Sequence, residues 1–185
     1  MDDGTVTSFD RLDLGDAAPT DVDELASLAA ATFPLACPPS VPLDDVAAFI
    51  AAHLSAERFA DYLADPSRTV LAARDGGRLV GYAILIDGIG DDPDVAAAVT
   101  IRPAVELSKI YVRADSHGSG AAAGLLAAVV DRAAASHAHS LWLGVNQRNA
   151  RAQRFYSKNG FTLAGTKTFV LGAHTEHDYV MIRPL

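Results

Sequence analysis

The densest signal for chemistry lies between Leu107 and Gly124, where LSKIYVRADSHGSGAAAG runs from an apolar β-prone stretch into glycines and then alanines. A turn of that composition offers several backbone N–H groups beside the positive end of a helix dipole, an arrangement that suits a phosphate or pyrophosphate. The same glycines would equally serve a tight strand-to-helix turn with no ligand. Gly118-x-Gly120-x-x-Ala123 meets the dinucleotide fingerprint formally. That fingerprint asks for a carboxylate at the end of the next strand, and Leu141–Asn146 has none. No Gly-Lys-Ser/Thr follows the turn, which excludes a Walker loop. Downstream, Arg148, Arg151, Arg154 and Lys158 fall in eleven residues without an acid. On a helix, positions 151, 154 and 158 share one face, either a solvated stripe or a docking surface for further phosphate.

The other reactive side chains are less organised. His137-x-His139 and His174-x-x-His177 lie in polar turns without acidic or thiol partners at metal-ligand spacing, so no metal is expected. His53 falls within a helical stretch and reads as a surface or hydrogen-bond-satisfied residue. Cys37, the single cysteine, lies in a proline-rich loop without a nucleophile motif and excludes a disulfide framework.

These groups must be carried by the elements around them. Val6 and Phe9 suggest a strand over 5–10, and Thr20 with Asp23 and Glu24 resembles a capping box opening a helix to Phe33. Pro34, Pro38, Pro39 and Pro42 are expected to open the chain into an extended loop. Helical spacing resumes over 43–63, with a break at Ser55, and ends at Pro66. Two β-prone runs, 69–74 and 78–86, flank Asp75-Gly76-Gly77, a hairpin signal. A long loop over 87–104, with a turn at 95–98, leads to a strand at 105–113. A helix over 121–136, a strand at 141–145, a helix over 149–159 and two closing strands complete a β-α-α-β-β-β-α-β-α-β-β order. That order is a mixed α/β single domain spanning residues 1–185.

Composition narrows the function. Half of the 185 residues are hydrophobic and 21% charged, enough for a full core, so disorder is not expected. The net charge is −8, but residues 1–24 hold eight acids and one base and so carry seven of those charges. No basic face of the size that nucleic acid requires is visible. Apolar runs such as 121–130 are too short to span a bilayer, and the acidic start lacks a secretion-signal pattern. No membrane contact and a cytoplasmic location are expected.

The combination resembles the GCN5-related N-acetyltransferase (GNAT) superfamily. Its pyrophosphate-loop motif, Gln/Arg-x-x-Gly-x-Gly/Ala, would read His117-Gly118-Ser119-Gly120-Ala121-Ala122, with His in the first position. Asn149-x-x-Ala152-x-x-Phe155-Tyr156-x-x-x-Gly160-Phe161 resembles a second family block, and the likeness covers most of the chain. The pattern at 141–145, the closing Asp178–Ile182 and the N-terminal helix-loop-helix resemble the PaiA-type subgroup, spermidine/spermine N-acetyltransferases.

The resemblance implies a mostly antiparallel sheet flanked by helices, with the strands at 106–112 and 141–145 splayed to admit the pantetheine of acetyl-CoA. It implies backbone contacts from Ile110, Tyr111 and Val112, a loop of His117, Gly118, Ser119, Gly120, Ala121 and Ala122 around the pyrophosphate, and coenzyme contacts from Asn149 and Lys158. Tyr156 would protonate the departing thiolate. Glu106 would act as base through water, and strand parity places it on the same face as Val112 six residues on. Asn149 also stands where it can cap the helix that follows. The acceptor expected is the primary amine of a small molecule, a polyamine first. A protein N-terminus, a lysine, an aminoglycoside or a non-catalytic coenzyme-binding module are the alternatives, and a homodimer is compatible with the family. Acceptor recognition is expected from residues 33–43, residues 87–104 and the last hairpin. Asp44, Asp45, Asp87, Asp91, Asp92 and Asp94 are available there for an ammonium.

Overall fold

The computed structural model describes residues 12–185. In chain order the elements are β1 (Leu12–Asp16), α1 (Val22–Ala36), α2 (Leu43–His53), α3 (Ala56–Ala64), β2 (Arg68–Asp75), β3 (Arg78–Asp87) and α4 (Pro93–Ala98). They continue with β4 (Ala104–Val112), α5 (Ala121–Ala135), β5 (Ser140–Asn146), α6 (Ala150–Lys158), β6 (Thr162–Leu171) and β7 (His174–Pro184). The strands form one seven-stranded sheet in the order β1-β2-β3-β4-β5-β7-β6. Every neighbouring pair is antiparallel except β4 and β5.

Alternation along the strands explains the layers. Val105, Leu107, Leu141, Leu143 and Val145 point to one face, where Leu125, Leu126 and Val129 of α5 and Phe155 of α6 cover them. The opposite face buries Tyr82 and Ile84 beneath Leu25, Leu28 and Phe33 of α1 and Phe59 of α3. Trp142 and Ile182 lie under α4 in a smaller cluster, and Trp142 Nε1 donates to the Gly88 carbonyl at 3.0 Å.

Several expectations need correction. The strand expected over 5–10 lies outside the described residues; among those described, the first strand is β1, which was not expected and which pairs with β2. The capping box is not at Thr20: Asp21 accepts from the Ala18 N–H and pairs with Arg74, while Glu24 accepts from the Leu79 N–H. Pro34 does not end its helix but sits in the last turn of α1. A proline there sacrifices one N–H bond where the helix is about to stop, which limits the damage.

The consequential correction concerns β4. Its pairing with β3 runs Ile84–Lys109 and then Leu85–Leu107, so Ser108 is a bulge residue. One inserted residue reverses the alternation beyond it. Glu106 therefore does not share a face with Val112, which packs with Leu107 in the α5-side core. Cross-strand partners put Glu106 with Ile86, Lys109 with Ile84 and Tyr111 with Tyr82, all on the face covered by α1.

Candidate active site

β4 and β5 pair through only three positions, Ala104–Ser140, Val105–Leu141 and Glu106–Trp142. The bulge at Ser108 follows directly, and a bulged strand twists away from its neighbour. Beyond it the two strands diverge and leave backbone groups of β4 facing a cavity of about 460 Å³. That cavity is lined from the α5 side by His117, Ala122 and Tyr156, through the gap by Ile110 and Val145, and from the α1 side by Glu106.

The glycine turn builds the α5-side mouth. Gly118 and Gly120 have φ of +84° and +85°, in the left-handed region that favours glycine, and Gly120 is the N-cap of α5. Among the described residues, the N–H groups of Gly118, Gly120, Ala122 and Ala123 have no hydrogen-bond partner, while the Ala121 N–H reaches Ser119 Oγ at 3.3 Å. Four free donors at the positive end of a fifteen-residue helix make a strong anion cradle. His117 bridges the turn to both neighbours: Nε2 lies 3.1 Å from the Val112 carbonyl and Nδ1 3.4 Å from an Arg151 nitrogen. Nε2 as donor and Nδ1 as acceptor satisfy both contacts with one neutral tautomer.

Tyr156 projects from α6 against Phe155 and Phe161, with ring centroids 5.4 and 5.7 Å away. Burial pushes its hydroxyl up to about 12, so the phenol keeps its proton at neutral pH. Asn149 Oδ1 accepts from the Ala152 N–H at 3.1 Å and caps α6, as its position suggested. Glu106 enters from the opposite face, and burial raises its carboxyl above the ordinary value, tempered by Lys167 and Lys109.

Residues 27–161 match the acetyltransferase (GNAT) family. The chain belongs to that family. A Mycobacterium tuberculosis protein named "uncharacterized N-acetyltransferase" is 56% identical over 166 residues, 90% of this chain and 99% of that protein. Among solved structures, a PaiA N-acetyltransferase from Thermoplasma acidophilum in complex with coenzyme A superposes with a TM-score of 0.74 at 16% identity, over 94% of this chain and 99% of that one. The ribosomal-protein-S18-alanine N-acetyltransferase from Escherichia coli gives 0.66 at 18% identity, over 94% and 93%. At those identities the two structures share the fold. The chain is an N-acetyltransferase, and its acetyl donor is acetyl-CoA. The free N–H cradle and the open edge of β4 fit a pyrophosphate joined to an amide-bearing arm, one by donors and the other by strand-like pairing.

Of the residues singled out in sequence, Glu106, Ile110, Tyr111, Val112, His117, Ala122, Asn149 and Tyr156 line this cavity. Gly118, Ser119, Gly120 and Ala121 do not line it but connect His117 to Ala122, which do. Lys158 is exposed at the end of α6 and does not line the cavity. Of the basic stripe on α6, Arg151 lines the cavity and Arg154 does not.

The acceptor side departs further from expectation. Asp44, Asp45, Asp87, Asp91, Asp92 and Asp94 are all absent from the cavity wall. Asp92 caps α4, and Asp45 lies 3.9 Å from His174. Their place is taken by Glu176 and Asp178 of β7 together with two residues that sequence reasoning missed, Lys109 and Lys167. Burial raises the Asp178 carboxyl above its ordinary value, an effect moderated by Lys167. Burial lowers Lys109, against the opposing pull of Glu106. Positions 167 and 178 are cross-strand partners in the last hairpin, so parity there could have paired them, but nothing in the sequence joins them to Lys109 on β4.

Proposed function

We propose that this acetyltransferase moves the acetyl group of acetyl-CoA directly to the primary amine of a small molecule within a ternary complex. A cavity that crosses the sheet through the β4/β5 gap, with Tyr156 on one side and Glu106 on the other, is the observation that carries this reading. It supports roles for these residues as follows.

Backbone groups of Ile110, Tyr111 and Val112 hold the donor's amide-bearing arm along β4, and the free N–H groups of the 117–122 turn hold its pyrophosphate. An amine of Lys-like pKa, near 10.4, is only about 0.04% neutral at pH 7, so a base is needed. Glu106, lifted toward neutrality by burial, takes that proton through water. The amine nitrogen then bonds to the carbonyl carbon as the carbon–sulfur bond breaks. Tyr156 gives its proton to the sulfur, which leaves as a thiol, and the surplus proton on the new amide nitrogen passes through water to restore the Tyr156 phenol. Asn149 fixes the start of α6 and thereby Tyr156. Cys37 lines the cavity but donates its Sγ–H to the Phe33 carbonyl at 3.4 Å, and burial raises its thiol, so it is a poor acetyl carrier.

Glu106, Glu176 and Asp178 support a polyamine as acceptor, while Lys109 and Lys167 in the same chamber favour an amine that bears its own negative charge. The whole length, 1–185, is read as one catalytic unit of the cytoplasm. Thiol release from acetyl-CoA, followed across spermidine, spermine, amino acids, aminoglycosides and lysine peptides, tests the function. The expected result is saturable release with a small amine and intersecting double-reciprocal lines. Release with peptides alone, or parallel lines, would overturn the reading.

A further inference from the structure

Two of the chain's three lysines line the acceptor side of this cavity, and the mechanism uses neither. We infer that the acceptor carries an anionic group, carboxylate or phosphate, beside its amine, and that Lys167 together with Lys109 recognises that group. The inference rests on the acetyl-transfer reading and names its substrate class.

Lys167 starts on β6, yet its side chain reaches across the intervening β7 to β5. A Cβ at Gly144 would lie 3.1 Å from Lys167 Cε and 3.3 Å from Asp178 Oδ2, and Lys167 Nζ sits 5.9 Å from the centre of the Trp142 ring. The missing side chain at Gly144 is what lets the lysine lie over the sheet toward the β4/β5 gap. Lys109 enters the same space from β4, placed on this face by the Ser108 bulge.

The arrangement is open in both signs. Among the described residues no carboxylate oxygen lies within 4.0 Å of either lysine nitrogen, and the bond of Lys109 to Ser108 Oγ is long at 3.4 Å. Among the described residues, Glu106 and Asp178 have no ion-pair partner within that distance either. Glu176 is occupied, accepting from Asn146 Nδ2 at 3.2 Å. Charges removed from water are normally paired, and a lysine is flexible enough to close on a carboxylate next to it. A chamber that holds both signs apart is complementary to a ligand that brings both. A polycation would place further positive charge against two ammonium groups. An amine bearing an acid places its amine toward Glu106 and its anion toward Lys167.

Matched pairs test this: butylamine against 4-aminobutyrate, ethanolamine against O-phosphoethanolamine, and spermidine as the polycation, with wild type, Lys167→Met and Lys109→Met. The readout is kcat/KM for thiol release. The expected result is a preference of roughly tenfold or more for the acid-bearing member of at least one pair, which collapses by a similar factor in Lys167→Met. The pair that shows it separates carboxylate from phosphate. Should Lys167→Met fail to fold, Lys109→Met must show the same loss of preference. Preference for spermidine or for the plain amines, or a ratio unchanged in the variant, would overturn the inference. If no amine turns over, calorimetry on the coenzyme A complex decides: acid-bearing amines bound by wild type and lost in the variant support it, and no binding overturns it. Failure of acetyl-CoA to raise the melting temperature would instead sink the underlying transfer reading.

Discussion

Burial lifts both Glu106 and Tyr156, and the two consequences differ. For Tyr156 it keeps a proton in place for the leaving thiolate. For Glu106 it makes a stronger base whose charged form destabilises the folded state. A carboxyl whose folded pKa exceeds its unfolded value contributes stability that is fully present below the unfolded pKa and is lost as pH rises through the folded one. Glu106→Gln is therefore expected to melt higher than wild type at about pH 8, with the gap closing toward about pH 4. The same variant should lose about 10²-fold in kcat/KM and the acidic limb of the pH profile, which needs Glu106 ionised. An unchanged profile would remove Glu106 from the base role. Tyr156 and Asn149 were legible because they belong to a contiguous block on one helix. Lys109, Lys167 and Asp178 were not, since three strands must come into register before they share a chamber.

At the level of elements, the site depends on two local departures from regularity. Ser108 ends the β4/β5 pairing and turns Glu106 and Lys109 to one face, while the positive-φ glycines of the 117–122 turn free the N–H groups ahead of α5. The hairpin at Asp75-Gly76-Gly77 and the Gly118 turn announce themselves through glycine. The bulge does not, because Glu-Leu-Ser-Lys-Ile-Tyr-Val contains no residue that demands one, and strand parity alone sent Glu106 to the wrong face. A Cβ at Gly118 would meet nothing within 4 Å, so Gly118→Ala changes only the backbone preference. Gly76, at φ +58° and also open, provides the same strain far from the site. Each alanine should cost about 1–2 kcal/mol of stability by denaturant unfolding. Gly118→Ala alone should raise KM for acetyl-CoA. Equal effects on KM would mean that the turn holds no part of the coenzyme.

Across the whole molecule, the cavity lies between α1 on one face and α6 on the other, so its ligand ties together cores that otherwise meet only through the sheet. Acetyl-CoA at about 100 times its Kd should add about 2.7 kcal/mol, which for a chain of this size raises Tm by roughly 5–10 °C. From β2 onward the strands, the hairpins and the chemistry class were readable from pattern and motif, whereas α4 was expected only as a turn within a long loop and α2 and α3 as one helical stretch with a break at Ser55. The acceptor side was not, because acids such as Asp92 and Asp45 that looked available in loops are used for a helix cap or lie near His174 outside the cavity. The decisive measurement compares wild type with Tyr156→Phe at saturating acetyl-CoA and the best amine, following thiol release and the N-acetylated product by mass. The acetyl-transfer mechanism predicts stoichiometric thiol and acetylamine from wild type, a loss of about 10²-fold or more in kcat for the variant, and an unchanged acetyl-CoA melting shift. Thiol release without acetylated amine, or a variant as fast as wild type, would contradict it.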